Sequence, residues 1–319
     1  MKIDKLNAVI LQELLKDGRK TFTEIAQQCG ESMEVVANRY RQMKKQGIIV
    51  GATIQNSCAC YDGNFVTAFY VSTRSSKSDV IAELLRDFPN ITGVYPSALN
   101  PRLHAIFTLK SIAELERTKQ AIKELPDVLD VDPQIWVGVR NTPHNLSVLG
   151  AGASPRPEGE TFPKKITYPH VDEIDKYIIE KLVIDSRTPF SKIAEELKIS
   201  TDTVSKRYER LKENHHVRPV IQINPSKIGY NAFALFRLTF SKDSLANNIE
   251  ELMSMPDFNL IHKISGKYDC WACLMIKDIN QFTSVQEKIH QMSNLTYFEV
   301  SVSRIFSVWP LQREFISTF

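Results

Sequence analysis

Residues 3–45 and 171–213 align without a gap and share thirteen identities in 43 positions. Asp4/Asp172, Asp17/Asp185, Arg19/Arg187, Phe22/Phe190, Ala26/Ala194, Ser32/Ser200, Val36/Val204, Arg39/Arg207 and Tyr40/Tyr208 are among them. Agreement in that order is not composition; the chain is a tandem duplication. Whatever the first half forms, the second repeats, and 319 residues leave room for two to four domains.

Each copy opens on three helical patterns. In the second copy these are 172–184, 189–198 and 201–213, with apolar Val204, Tyr208 and Leu211 on one face of the third. Ser32 and Ser200 stand at N-cap positions, each followed by an acidic residue (Glu34, Asp202) suited to the positive helix end. Copy one has Ala26, Gly30 and Val36 at helix-turn-helix spacing: a small residue at the helix contact, glycine for the turn, an apolar residue beneath the second helix. Copy two has Lys198 at the turn, where a left-handed conformation is costly for a residue with a side chain. "GIIVGATI" follows as a wing strand, with "HHVRPVIQI" its partner.

The rest of each copy runs β-α-β-β-α-β, a ferredoxin-like order. In copy two the pieces are 231–240, 245–255, 259–265, 270–276, 279–292 and 296–306; copy one repeats them between Phe65 and Arg140. Residues 141–170, with five prolines and three glycines, lack a hydrophobic period and read as a linker. A flexible chain of that length spans about 30 Å, so the copies can reach each other. The expected fold class is α+β, with two winged helix-turn-helix domains (1–50, 171–220) and two ferredoxin-like domains (51–140, 221–319) in tandem.

A helix-turn-helix with S-x-x-x-V-x-x-R and "GII", then "INPSKIGYNAF", then "SGKYDCWACLMIKDINQF", resembles the Lrp/AsnC family of feast/famine transcription regulators. The resemblance covers nearly all of copy two and copy one more loosely. It implies that the ferredoxin-like parts are amino-acid-metabolism regulatory (RAM) domains. It also implies a sequence-specific regulator of double-stranded DNA, not an enzyme, oligomerising through those domains; two helix-turn-helix units tied by a linker long enough for them to pair make the expected form an intramolecular pseudo-dimer. The departure is size, since members of that family usually carry one unit per chain.

On the third helix of copy one, Asn38 and Gln42 have the amide geometry for adenine, and Arg41 that for guanine or phosphate; Lys45 shares this face. Copy two presents Lys206, Arg210 and two glutamates there. Residues 32–45 net +3 and 200–213 net +1, so the first copy is the better suited to phosphate. Arg39 and Arg207 lie about 60° round from the buried valine, fit either for phosphate or for an internal ion pair with Asp17 and Asp185. The family resemblance makes Gly266-Lys267-Tyr268-Asp269 the loop that lines a pocket for an amino acid or similar small effector. Copy one has Leu99-Asn100-Pro101-Arg102 in that place, without the glycine, tyrosine or aspartate.

No catalytic set, no phosphate-binding glycine loop and no metal motif stands out, so neither cofactor nor metal is expected. Cys270 and Cys273 fit CxxC, but on a strand they point to opposite faces; with Cys58 and Cys60 they read as buried small hydrophobes rather than zinc ligands. No apolar run approaches the roughly 20 residues of a membrane span, and the expected location is the cytoplasm. One enzyme alternative remains. Siroheme decarboxylases resemble this family in fold, pair two related units, and use histidine and arginine near one strand, a role that Arg102 and His104 would fill.

Overall fold

Helix caps set the start of both halves. In the computed structural model, which describes residues 3–57, 65–97, 100–150, 171–241 and 245–312, α1 (Lys5–Lys16), α2 (Phe22–Cys29) and α3 (Met33–Lys45) are matched by α6 (Glu173–Ile184), α7 (Phe190–Leu197) and α8 (Thr201–Glu213). Ser32 Oγ accepts from Val35 N at 3.2 Å and Ser200 Oγ from Thr203 N at 3.0 Å, satisfying donors that a helix start leaves open. Between the second and third helices the turn residue is left-handed in both copies: Gly30 at φ 67° and Lys198 at φ 56°. Lysine adopts there what glycine adopts freely.

β1 (Ile49–Asn56) and β6 (Val217–Ile223) form a two-stranded antiparallel ribbon, so the expected wing strands of the two copies pair with each other. The ribbon is pinned at both flanks: Gly18 N–H donates to Pro219 O at 2.8 Å, and Thr53 Oγ1 donates to Val183 O at 2.7 Å. Around it the helix sets exchange an arginine each. Arg19 reaches across to Ser186 O (2.5 Å) and Thr188 O (3.1 Å), with its guanidinium 4.1 Å from the Phe190 ring and 5.5 Å from that of Tyr208. Arg187 does the same to Phe22 and Tyr40, 5.2 Å from each ring. Three of the repeat's identities, Arg19/Arg187, Phe22/Phe190 and Tyr40/Tyr208, are thus one reciprocal contact.

The ferredoxin-like halves are β2 (Phe65–Thr73), α4 (Ser78–Arg86), β3 (Ile91–Pro96), β4 (Arg102–Leu109), α5 (Ile112–Lys123) and β5 (Val128–Asn141), then β7 (Ala232–Phe240), α9 (Leu245–Ser254), β8 (Phe258–Ser265), β9 (Cys270–Ile276), α10 (Ile279–Gln291) and β10 (Leu295–Arg304). Their strands join in one eight-stranded sheet, β10-β7-β9-β8-β5-β2-β4-β3, through the antiparallel pair β5–β8. α4 and α5 cover the outer face of the first half over Phe69, Leu103 and Phe107; α9 and α10 cover the second over Phe236, Phe258 and Leu274. The inner faces turn toward each other.

The expected linker begins late. β5 runs to Asn141, residues 147–149 form a 3-10 turn, and Leu146 and Leu149 are buried. Asn145 holds this segment by donating to the carbonyls of Met253, Met255 and Phe258, while buried Asp257 accepts from Ser147 N and Oγ, each at 2.7 Å. Residues 151–170 lie outside the described residues. Among the described residues no helix is long and apolar enough to cross a membrane.

Arg19→Ala or Arg187→Ala removes one half of the reciprocal contact. Each is expected to cost on the order of 1–3 kcal/mol, read as a lowered denaturation midpoint of the helical units by circular dichroism.

Candidate functional site

Strand alternation determines what faces the space between the half-sheets. On β4, Leu103, Ala105 and Phe107 point to the helices, leaving His104 and Ile106 on the inner face. On β7, Ala234, Phe236 and Leu238 go outward and Phe233 and Leu235 inward. β9 places Cys270 outward and Trp271 and Cys273 inward, as expected for residues three apart on a strand. β8 contributes Leu260 and His262, and β10 Ser301 and Ser303.

These residues line a cavity of about 650 Å³, within the range usual for small-molecule sites. One side of the paired half-sheets is sealed by β5–β8. The other lies between the sheet's two end strands, where β3 supplies Thr92, Val94 and Tyr95, β10 supplies Ser301, Ser303 and Arg304, and the segment after β10 adds Phe306, Trp309 and Gln312. Tyr95 and Phe306 approach across this gap at 6.2 Å between ring centroids. The following segment is tied to the ribbon by reciprocal backbone bonds between Trp309 and Ile223, 2.7 and 2.8 Å.

Two imidazoles enter the cavity wall. His104 lies between Tyr70 (4.7 Å) and Trp271 (5.1 Å), and His262 stacks on Trp136 at 3.8 Å. Burial pushes both down from the ordinary histidine value of 6.5 to about 3, with the Arg237 charge adding to the effect on His104. Both are therefore neutral at physiological pH. Their Nδ1 atoms, with the Nε1 atoms of Trp271 and Trp309, are buried without a hydrogen-bond partner. The residues that carry these nitrogens line the cavity, while the nitrogens themselves are enclosed in its wall.

Beyond His104 lies a charged cluster. Glu299 Oε1 accepts from Arg102 at 2.6 Å and is 2.9 Å from Arg237 Nη2, and Glu299 Oε2 accepts from the Tyr268 hydroxyl at 2.6 Å. Arg102 also donates to Tyr70 Oη at 3.1 Å. Of the pair Arg102 and His104, His104 lines the cavity and Arg102 stands behind it.

The loop Gly266-Lys267-Tyr268-Asp269 does not line this cavity. The Asp269 carboxylate accepts from Phe240 N at 2.7 Å; Lys267 Nζ lies 5.2 Å from the Tyr268 ring. Leu99, at the matching place in copy one, is outside the described residues, as are Cys58 and Cys60. Among the described residues no group of acidic, histidine and cysteine side chains is arranged for a metal.

The helix faces read as DNA contacts are exposed at Asn38, Arg41, Gln42, Lys45, Lys206 and Arg210. Several of their charges are engaged within the chain. Arg41 donates to Asn38 Oδ1, Lys206 pairs with Asp202, and Arg210 with the buried Asp175. Arg39 pairs with Asp4 at 2.8 Å, and Arg207 with Asp172 and Asp175 at 2.7 and 2.9 Å. The expected partners were Asp17 and Asp185. The first-helix N-caps take the arginines instead, and Asp17 serves Lys212 of the other copy at 2.7 Å.

The fold and cavity define a fused pair of helix-turn-helix and ferredoxin-like units enclosing a shared cavity. The AsnC-type helix-turn-helix domain matches residues 3–44 and 171–212. An HTH-type transcriptional regulator LrpA of Pyrococcus horikoshii is 30% identical over 128 residues, 40% of this chain and 91% of that protein. An uncharacterized HTH-type transcriptional regulator of the same organism is 27% identical over 157 residues, 47% of this chain and 99% of that one. The chain belongs to the Lrp/AsnC family. Such relatives correspond to about half of it. Over its whole length it is similar in fold to the siroheme decarboxylase NirDL, with a TM-score of 0.64 at 16% identity, covering 99% of this chain and 94% of that one. The co-complex of that enzyme with an iron-uroporphyrin III analogue gives 0.63 at 15%, covering 98% and 95%.

This corrects the expectation of a DNA-binding regulator without enzymatic activity. The tandem arrangement that sets the chain apart from single-unit regulators is shared in fold, over nearly the whole chain, with siroheme decarboxylase NirDL, and the alternative weighed in the sequence accords with that better.

His262, Trp136, Trp271, Trp309 and Arg237 escaped the sequence reading. The available signal was a histidine, tryptophan or arginine at alternate positions of otherwise apolar strands, as in "NLIHKIS" and "ALFRLTF".

Unfolded, each imidazole takes a proton below about pH 6.5; folded, His104 and His262 resist protonation down to about 3. The unfolded chain thus binds more protons in that window, and stability falls as pH drops through it, by up to about 1.4 kcal/mol per pH unit for each histidine. His104→Phe with His262→Leu is expected to flatten the profile of denaturant midpoint against pH between 7 and 5. His144, lowered to about 4 by burial, leaves a residual slope.

Proposed function

We propose that this chain decarboxylates a siroheme-type tetrapyrrole held between its half-sheets. The observation that carries the reading is the cavity itself: aromatic walls from both copies, with two neutral histidines whose Nδ1 atoms face no partner. The whole-chain likeness to siroheme decarboxylase NirDL supports it at the level of fold. A planar macrocycle suits walls built from Trp136, Trp271, Phe233 and Phe306. The iron of such a ring belongs to the substrate.

The chemistry needs no external oxidant. The bond between the carboxylate and its side-chain carbon breaks, carbon dioxide leaves, and the electron pair left behind is taken up by the conjugated ring until a proton replaces the lost group. A carboxylate is poorly solvated in an apolar cavity, whereas carbon dioxide loses little there. His104 and His262 orient the carboxylate through ring N–H groups. The carboxylate's own charge raises the basicity of the imidazole beside it, so a histidine neutral in the empty cavity can carry the proton once substrate is bound.

Incubation with siroheme, followed by liquid chromatography and mass spectrometry, is expected to show products lighter by one or more carbon dioxide units. His104→Ala and His262→Ala should each slow the reaction by about 100-fold or more. Unchanged siroheme after prolonged incubation, with no shift in its visible absorption on mixing, would overturn the reading.

A further inference from the structure

Among the described residues Arg237, like Asp175, is a charged side chain with no solvent exposure. It is fully inaccessible, yet its Nε has no hydrogen-bond partner and its Nη1 reaches Ser301 Oγ only at 3.4 Å. Its place on β7 explains where it points. Phe233 and Leu235 line the cavity, and Arg237 follows on the same face, about 7 Å beyond Leu235. It is paired in register with Trp271 on one side and Glu299 on the other. Ser301, next on the inner face of β10, is a cavity residue. Arg237 itself does not line the cavity; it stands one residue pair behind the wall formed by Leu235 and Ser301, with its guanidinium 4.6 Å from the Tyr70 ring that also packs on His104.

Several donors there converge on one carboxylate. Glu299 serves Arg102, Arg237 and the Tyr268 hydroxyl together, so one carboxylate answers two guanidinium groups. Asp132, opposite Tyr70 in register, is engaged by the Gln134 amide at 3.1 Å. The charges bearing on His104 are two arginines and one glutamate. A guanidinium offers five donors in a planar fork. Buried with part of that fork unmet, it is costly unless a second anion completes it. Through Ser301 and past His104, the cavity is the direction from which such an anion arrives.

We propose that Arg237 is a substrate-binding residue that receives one carboxylate of the ligand, with Glu299 as its counter-ion while the cavity is empty. This inference rests on the tetrapyrrole reading and adds a subsite to it. A ring bearing several carboxylates then has one side chain anchored at the inner end and others directed toward the histidines and the open side. Glu299 remains paired with Arg102, so the exchange leaves no lone buried charge. Arg237 binds and orients; the proton chemistry stays with the histidines.

The test compares uroporphyrin III with its octamethyl ester, which has the same ring without the negative charges, by quenching of the cavity tryptophans' fluorescence in the full chain. Arg237→Met is expected to weaken uroporphyrin III binding by about tenfold or more while leaving the ester unaffected. Glu299→Gln removes the competitor for Arg237 and should tighten uroporphyrin III binding severalfold, again without effect on the ester. Equal uroporphyrin III affinity in wild type and Arg237→Met would overturn the assignment. Parallel loss of both ligands would do so as well, because it marks Arg237 as a structural support of the cavity. Wild type that binds neither porphyrin would overturn the tetrapyrrole reading itself, a result distinct from either.

Discussion

The pairing of β5 with β8 is the contact from which the rest of the architecture follows. A ferredoxin-like half has an apolar outer face under helices and an inner face that must be covered by something. Joining the two halves by one antiparallel pair makes their sheets continuous and brings the inner faces together, as the order β10-β7-β9-β8-β5-β2-β4-β3 records. It also makes the two sides of the assembly different. One is sealed by backbone hydrogen bonds from Ile135–Ser265 to Asn141–Leu260, while the other is left between β3 and β10. The cavity runs between them, lined by Trp136, Leu260 and His262 at the seam and by β3 and β10 on the second side.

How much of this was legible depends on the range of each interaction. The repeat, the helix-turn-helix, the caps at Ser32 and Ser200, and the ferredoxin order rest on local spacing, and the elements form where spacing placed them. The early part of the linker is not legible in composition, a local signal, because Asn145 and Asp257 hold that segment through contacts about 110 positions apart. The ion-pair partners of Arg39 and Arg207 were misplaced for a similar reason. Proximity on a helical wheel does not say which neighbouring helix end supplies the acid. The cavity is least visible, since it is built by residues from seven strands and the segment after β10 that no single window contains. His104 was noticed beside Arg102 in sequence, but its working neighbours are Trp271 and Tyr70.

Internal ion pairing bears on how the basic helices are read. A cluster of arginines and lysines on a third helix is attractive to phosphate only to the extent that its charge is free. Here Arg39, Arg207 and Arg210 are drawn to aspartates of the first helices, and Lys212 reaches across to Asp17 of the other copy. Arg19 and Arg187 serve the contact between the helical units through aromatic faces and carbonyls. The same residues that mark the domain type in sequence thus hold the two units to each other and to the ribbon, and through Ile223 and Trp309 to the edge of the cavity.

Fusion of the two copies removes a constraint that a symmetric dimer cannot escape. Where two identical chains meet, every residue at the interface appears twice, so a group placed on one side of a shared cavity is also placed on the other. In this chain, equivalent positions of the two halves carry different residues. His104 stands where the second copy has Trp271, and Tyr95 where it has His262. Tyr70 occupies the place of Arg237, and Asp132 that of Glu299. Each pair is aromatic or uncharged on one half and titratable or charged on the other, or differs in the reach of its acid. The cavity consequently has a polarity of its own: a charged pair, Arg237 and Glu299, behind the wall at one end, imidazoles from both halves along its wall, and aromatic Tyr95 and Phe306 at the gap between the end strands. A ligand with unlike edges can then bind in one orientation, which a symmetric cavity would not enforce.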